Sequence, residues 1–193
     1  MEPAPKLATY EDLVSLDEDV RAEIIAGSLV TPPSPLPEHG RAQRTLSRYI
    51  GGPFDDDDGR GGPGGWWILL EIDVRLERHT IVRPDVAGWR RARLEAPWGI
   101  RPIDVAPDWI CEIVSPSNAG HDRVTKANLY LEHGVPHYWM LDPTARVLEA
   151  FARSEEEGAA HWKRLGAWSE GTARIPPFEA IELEIERFFP PDA

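Results

Sequence analysis

The spacing of apolar and polar positions changes several times along the chain, and each change predicts a new element. Two short apolar runs on either side of Ala26-Gly27-Ser28 predict a β-hairpin within residues 21–30. A proline-rich segment then excludes regular structure, and apolar residues at helical spacing predict a helix over residues 38–50. Three further apolar runs predict strands at residues 66–76, 80–89 and 108–115.

The pattern after residue 120 predicts a helix between two buried strands. An amphipathic segment over residues 121–133 ends at Gly134, a residue type that commonly closes helices, and Pro136 lies just beyond it. Residues 137–142 form the next apolar strand. Because a helix joins this strand to the strand at 108–115, we expect the two strands to be parallel, with a right-handed crossover.

The remaining segments predict smaller elements. Thr9 and Asp12 fit a capping box that opens a short helix. The acidic, Gly-rich stretch 51–65 predicts a flexible loop, and its four consecutive aspartates repel one another, which favours solvation over metal binding. Other predicted elements are an irregular excursion at 90–107, a β-hairpin of 146–152 with 161–166, and a short amphipathic helix ending the segment 178–189.

Length and composition predict one folded domain over residues 1–193. A hydrophobic content of 41% and eight Trp exclude a disordered chain. No apolar run is long enough to span a bilayer, and the N-terminus has no secretory apolar region, so we expect no membrane association. A lone cysteine, Cys111, fits the reducing cytoplasm.

The charge distribution leaves two interpretations open. A net charge of −12 opposes sequence-independent binding to nucleic acid. Residues 60–101 nevertheless carry eight arginines against five acids, an excess of +3 around Asp85. This arginine group either faces phosphates beside a metal site or forms ordinary ion pairs in a solvated loop; its members nearest Asp85 are Arg83, Arg90, Arg91 and Arg93.

Glu112 lies in the middle of the apolar strand predicted at 108–115. A carboxylate in a buried strand needs a partner or a metal, because desolvating its charge costs several kcal/mol. Strand alternation directs Ile110, Glu112 and Val114 to one face. A structural salt bridge is the alternative, but a second acid and a lysine nearby in the sequence favour a functional role.

Asp85 and Lys126 complete the candidate chemistry. Asp85 follows a proline in a β-branched run, and Lys126 lies one turn into the predicted helix. Two carboxylates and a lysine on adjacent rigid elements can hold a divalent cation and align a water for phosphodiester cleavage. The alternatives are a turn aspartate at 85 and a surface pair of Lys126 with Asp122. Glu23, in the hairpin, is either a third acid over the site or an exposed strand residue.

Other common chemistries lack their sequence signatures. The histidines at 39, 121 and 133 have no metal-ligand spacing with Cys111, so zinc is not expected. No serine has the context of a serine hydrolase, and the Gly-rich stretch is neither a phosphate-binding loop nor a dinucleotide fingerprint.

Seven short segments match a known family in order and spacing. They are TYEDL at 9–13, AEIIAGSLV at 22–30, PSPLPEH at 33–39, RPDVA at 83–87, EIVSPSN at 112–118, DRVTKANLY at 122–130 and GVPHYWMLD at 134–142. With these segments the chain resembles, over about residues 8–188, the Uma-two-type restriction endonucleases, a bacterial branch of the PD-(D/E)xK nuclease superfamily.

The resemblance implies both a fold and a set of site residues. The fold would be α/β (α+β): a restriction-endonuclease-like core with a mixed central sheet flanked by helices, and N-terminal and C-terminal β-hairpins added to it. Asp85 and Glu112 would bind the metal, with the carbonyl of Ile113 as a further ligand. Lys126 would be a lysine displaced from the strand to the helix, where it orients or deprotonates the attacking water. Glu23 matches the family's N-terminal acid.

The sequence therefore predicts a metal-dependent endodeoxyribonuclease that uses Mg²⁺ or Mn²⁺ and takes DNA as its substrate. Its catalytic residues would be Glu23, Asp85, Glu112 and Lys126. Two alternatives belong to other classes of protein: an inactive module of the nuclease fold that binds protein or nucleic acid, and an acidic homodimer whose Trp-rich strands pair. Metal binding through Asp85 and Glu112 distinguishes the nuclease from both.

Overall fold

The computed structural model describes residues 6–17, 19–56, 62–114 and 121–191. Within these ranges the α-helices are α1 (Tyr10–Val14), α2 (Pro37–Leu46), α3 (Gly52–Phe54) and α4 (Ala127–Glu132). A π-helical turn joins α2 to α3 at Ser47–Gly51, and another precedes α4 at His121–Lys126. The longer strands are β1 (Glu23–Ile25), β2 (Ser28–Val30), β3 (Trp66–Leu70), β4 (Val74–Glu77), β5 (Thr80–Val82), β6 (Val86–Arg90), β7 (Trp109–Ile113), β8 (His137–Asp142), β9 (Val147–Glu156) and β10 (Ala159–Trp168).

Two sheets organise these strands. The larger has the order β10-β9-β8-β7-β6-β3, and the smaller has the order β2-β1-β5-β4. Neighbours in the larger sheet are antiparallel except β7 and β8, which are parallel and joined through α4, as predicted. The short strands β11 (Thr172–Ala173) and β12 (Leu183–Glu184) pair separately.

The larger sheet is covered on both faces, which explains why its central strands are so apolar. Trp109, Trp139 and Phe178 pack on one face together with α2, with ring centroids 4.8–5.7 Å apart. Ile110 and Tyr138 pack on the other face together with α4. The predicted mixed sheet flanked by helices is confirmed, and strand β7 lies buried at its centre.

The chain changes sheets at two places where the sequence predicts continuous strands. The strand predicted at 66–76 is divided into β3 and β4, in different sheets, where the backbone of Glu71 takes a φ of +50° and ends the ladder. The strand predicted at 80–89 is divided into β5 and β6 near Pro84, which has no N–H to donate to a ladder. Both predictions of a single strand are wrong, and Asp85 lies at the junction of the two sheets.

The loop predicted at 51–65 is helical at its start. Residues 51–54 continue from α2 as helix because Phe54 is buried, with its ring 4.6 Å from that of Phe178. Asp55 then accepts a hydrogen bond from a backbone N–H of β3 at 3.0 Å, so it is structural rather than solvated. The prediction of a flexible loop is therefore wrong for 51–54. Residues 57–61 lie outside the described part of the chain.

The predicted terminal elements are present with adjusted limits. The capping box holds, with the Thr9 N–H donating to Asp12 Oδ2 at 2.9 Å. The C-terminal hairpin is longer than predicted because β9 and β10 run up to a two-residue turn, Glu157-Gly158, whose φ values are +51° and +81°. The final helix is one 3₁₀ turn, Ile185–Phe188. No helix among the described residues has the length and apolar character that crossing a membrane requires.

His137 gives the protein a defined sensitivity to mild acid. Burial lowers its pKa, with smaller effects from Glu179, Arg90 and Asp108, and its Nδ1 has no hydrogen-bond partner among the described residues. The unfolded chain therefore binds the proton first as pH falls through the ordinary histidine range, and stability is lost below about pH 6.5. We expect the melting temperature of His137→Gln, measured by calorimetry, to fall less between pH 7 and pH 5.5 than that of the wild type. Equal losses in both proteins would contradict this assignment.

Candidate active site

Glu112 forms the centre of the candidate site. It lies in β7, which is buried along its whole length, and only 2% of the residue is exposed. Its neighbours Cys111 and Ile113 pack on the α2 side of the sheet, so alternation directs Glu112 to the α4 side. A carboxylate in this position needs compensation from that side.

Lys126 and Glu23 provide a buried ion cluster with Glu112. Lys126 Nζ lies 2.8 Å from Glu112 Oε1 and 3.0 Å from Glu23 Oε1, and each of the three side chains is at most 6% exposed. Glu23 reaches the cluster from β1 and also accepts the Arg83 N–H at 2.6 Å. The structure thus brings together three of the four predicted catalytic residues, and Lys126 is buried rather than paired on the surface. The side chain of Asp122, its alternative partner, lies outside the described part of the chain.

Tyr130 belongs to the same cluster, although the sequence analysis did not select it. Its hydroxyl donates a short hydrogen bond of 2.5 Å to Glu112 Oε1. Burial, followed by the charges of Glu112 and Glu23, raises the pKa of Tyr130 well above its usual range, so this hydroxyl stays a donor. Tyr130 lies four residues after Lys126 on one helical stripe, and that spacing is the signal that could have identified it.

Asp85, the fourth predicted residue, lies against the same strand. Its Oδ2 accepts the backbone N–H of Ile113 at 2.7 Å. Val86 is opposite Cys111 in the β6–β7 ladder, so continuing this register by one residue places Asp85 opposite Glu112. The Asp85 side chain keeps 19% of its surface exposed and is the most accessible of the four.

The buried thiol of Cys111 lies within the electrostatic reach of both Asp85 and Glu112. Burial, followed by the negative charges of Asp85 and Glu112, raises the pKa of its thiol well above the usual value. Both carboxylates are therefore close enough to the middle of β7 to influence one side chain there.

Helix α2 contributes two side chains that sequence reasoning missed. His39 Nε2 lies 2.9 Å from Asp85 Oδ1, and Gln43 Nε2 donates to the backbone carbonyl of Asp85 at 3.1 Å. Both are far from Asp85 in sequence, and no periodicity links the proline-rich segment to the strand at 86–90. Only the packing of α2 on the sheet brings them together.

The arginines near Asp85 form ion pairs within the protein. Arg83 pairs with Asp73, Arg91 with Asp55 and Arg93 with Asp108, at distances of 2.7–3.3 Å, while Arg90 lies over the Trp66 ring. These contacts support ordinary ion pairing, the second interpretation of this arginine group.

The donor atoms around β7 define what cation the site could accept. The part of the chain that the structure describes contains no group of three or more His, Cys, Asp or Glu side chains placed to hold a metal. A cation here would rely on the carboxylates of Asp85 and Glu112, the Ile113 carbonyl and water. Mg²⁺ is commonly held in this way, by one or two carboxylates with several waters retained.

Removing the Tyr130 hydroxyl tests the energetic weight of the cluster. We expect Tyr130→Phe to lower the free energy of unfolding by about 1.5–3 kcal/mol, because a hydrogen bond to a buried carboxylate is lost. Urea titration of the metal-free protein measures this. Tyr49→Phe is the control, since the Tyr49 hydroxyl contacts only exposed Arg187 in the described residues, and its loss should cost less than about 0.5 kcal/mol. If both variants lower the free energy of unfolding by similar amounts, the hydrogen bond from Tyr130 to Glu112 adds no stability beyond that of a surface contact.

Comparison with known proteins first gives the class of fold. The structure resembles a solved one, described as a "putative nuclease belonging to DUF820", from Anabaena variabilis ATCC 29413. The TM-score is 0.68 at 19% sequence identity, with 94% of this chain and 97% of that chain covered. The nuclease-like fold is therefore shared, although the sequences have diverged widely.

The family follows from the sequence as a whole. The Uma2 family, described as "Putative restriction endonuclease", matches residues 7–187, and the chain belongs to this family. The resemblance drawn from the seven segments is confirmed. No curated protein matches the chain.

Proposed function

We propose that this protein is a Mg²⁺-dependent endonuclease that hydrolyses phosphodiester bonds of DNA at the site around β7. Membership of a family described as restriction endonucleases supports the general class. The observation that carries the specific proposal is the buried lysine shared by two acids, Glu23 and Glu112, with a third acid, Asp85, hydrogen-bonded to the backbone of β7 next to Glu112.

The charge of the site favours a divalent cation. Glu23, Asp85 and Glu112 contribute three negative charges and Lys126 one positive charge, which leaves −2 before His39 is counted. Grouping three carboxylates is costly where two of them are buried, so a divalent ion beside Asp85 and Glu112 would lower that cost. We assign Asp85, Glu112 and the Ile113 carbonyl as its ligands, with Mn²⁺ as a substitute for Mg²⁺.

Each residue then has a separate task. The metal, when bound, would polarise the scissile phosphate and lower the pKa of a water. Lys126 is held by Glu23 and Glu112, so its ammonium is fixed in direction and can orient the attacking water or stabilise developing negative charge. Tyr130 fixes Glu112 from the helix side, and His39 fixes Asp85 from α2.

One observation favours the alternative of an inactive module. Glu112 Oε1 already interacts with both Lys126 and Tyr130, as a purely structural ion pair would. The two functions differ in their response to metal, because a structural cluster is complete without a cation.

Cleavage assays test the proposal directly. We expect supercoiled plasmid and linear duplex DNA to be cut in the presence of Mg²⁺ or Mn²⁺, and to remain intact with EDTA. Single-stranded DNA under the same conditions defines strand preference. If wild type cleaves no form of DNA in the presence of Mg²⁺ or Mn²⁺ and gives no calorimetric signal for Mg²⁺ binding, the inactive module is supported instead.

A further inference from the structure

A cluster of exposed arginines lies on α2 and on the π-helical turn that follows it. Arg41, Arg44 and Arg48 recur at spacings of three and four residues, which places them on one helical face. With Tyr49 and with Arg187 from the C-terminal 3₁₀ turn, they line a cleft of about 160 Å³. We call this group the arginine cleft.

The arginine cleft brings four arginines together with few acid partners, whereas many other arginines of the chain are paired. The arginines at 21, 75, 83, 91, 93, 101, 153 and 164 each form an ion pair with a carboxylate. In the described residues, Arg41, Arg44 and Arg48 form none, and Arg187 pairs with exposed Glu184 while it donates to the Tyr49 hydroxyl. The cleft is thus a concentrated positive region on a chain with a net charge of −12.

This concentration opposes stability unless a ligand compensates it. Like charges three and four residues apart destabilise a helix, and all three side chains are exposed. Among the described residues, Arg41 Nε donates a 3.4 Å hydrogen bond to the Phe189 carbonyl, and Arg48 lies over the Tyr49 ring. Arginine is the side chain best suited to phosphate oxygens, because its planar guanidinium can donate two parallel hydrogen bonds. A phosphate-bearing ligand is therefore the chemistry that fits the cleft.

The arginines follow the helix over a length that a nucleic-acid backbone can also follow. From Arg41 to Arg48 the helix rises about 10 Å. This distance equals roughly three nucleotides of axial rise along one DNA strand. We propose that the arginine cleft binds the phosphodiester backbone of DNA, as a docking surface separate from the carboxylate site. The proposal concerns binding only and does not require that the carboxylate site cleave.

Binding without metal tests this proposal apart from catalysis. Fluorescence anisotropy with a labelled 20-base-pair duplex in EDTA compares wild type with the double variant Arg44→Glu/Arg48→Glu over a salt series. We expect at least roughly tenfold weaker binding for the variant, and a salt slope that is shallower by about 1.8, because two phosphate contacts are lost.

The matched control carries the same change in net charge elsewhere. Arg78→Glu/Lys163→Glu replaces two exposed cations that have no ion pair in the described part of the chain, and we expect it to change the affinity less than about twofold. Arg44→Gln/Arg48→Gln should give an intermediate loss of affinity. Melting curves of all variants establish that they fold.

Several outcomes would overturn the docking proposal. If both charge-reversal variants bind DNA equally weakly, the loss of affinity comes from net charge and not from the cleft. If Arg44→Glu/Arg48→Glu binds DNA as tightly as wild type, the cleft does not bind DNA. Binding of ATP or inorganic phosphate that depends on the cleft, without a matching effect on duplex binding, would make it a small-molecule phosphate site. A separate plasmid assay with Mg²⁺ distinguishes failure of cleavage from failure of docking.

Discussion

Replacing Lys126 with methionine is expected to lower the free energy of unfolding of the metal-free protein by about 3–5 kcal/mol. The substitution leaves Glu23 and Glu112 buried and close together without the ammonium that lies 3.0 and 2.8 Å from them. For a chain of this length, the melting temperature should fall by roughly 6–20 °C. Thermal and urea unfolding in EDTA measure both quantities.

The control for this effect is an ion pair at the surface. Arg164→Met removes a pair with Glu149 whose distance is also 2.8 Å, but the Arg164 side chain is 56% exposed. It should cost at most about 1 kcal/mol, because solvent screens the charges. A second comparison, Glu23→Gln combined with Lys126→Met, should recover part of the loss, since it removes one of the two stranded charges. If Lys126→Met lowers the free energy of unfolding no more than Arg164→Met does, the cluster carries no buried charge.

The same variant separates a metal site from a structural ion pair. If a cation binds beside Glu112, Mg²⁺ should raise the melting temperature of the wild type, because a ligand that binds only the folded state stabilises it. The rise should be larger for Lys126→Met, in which the site is more negative. A structural cluster predicts no dependence on Mg²⁺ in either protein.

The sequence predicts the central unit of the fold well, for a physical reason. Strands β7 and β8 are buried on both faces and the connecting helix is amphipathic, so burial dictates residue type at nearly every position. Glu112 stands out for that reason, as a charged residue where the environment demands an apolar one. Its partner Lys126 follows from the helical pattern next to it.

Other features depend on contacts that no local pattern encodes. The change of sheet at Glu71 requires a positive φ, and glutamate is not a residue type from which a positive φ would be predicted. His39 reaches Asp85 across 46 residues of sequence, through the packing of α2 on the sheet. Tyr130 is a different case, because the sequence places it on the same helical stripe as Lys126. An aromatic residue at such a position usually packs in the hydrophobic core, so the pattern alone does not assign it to the site. The arginine cleft likewise requires α2 and the C-terminal turn to lie side by side.

Asp85→Asn is expected to lower DNA cleavage by about 10²–10³-fold or more while the protein stays folded. Asparagine keeps an oxygen that can accept the Ile113 N–H, so the backbone contact at 2.7 Å survives the change. It removes the negative charge that we assign to metal binding. Plasmid cleavage with Mg²⁺ measures the activity, titration calorimetry measures Mg²⁺ binding, and the rise in melting temperature with Mg²⁺ should disappear.

Asp55→Asn is the matched control for this prediction. Asp55 also accepts a hydrogen bond from a strand N–H, that of Ile68 at 3.0 Å, and its carboxylate also contacts a basic side chain, Arg91. Its side chain is 22% exposed, against 19% for Asp85, so the two substitutions remove equivalent carboxylates from similar surroundings. Asp55→Asn should change stability modestly and leave cleavage and Mg²⁺ binding intact. If DNA cleavage falls equally in both variants, the loss of activity comes from damage to the fold. If Asp85→Asn keeps its cleavage activity, Asp85 is not part of the active site.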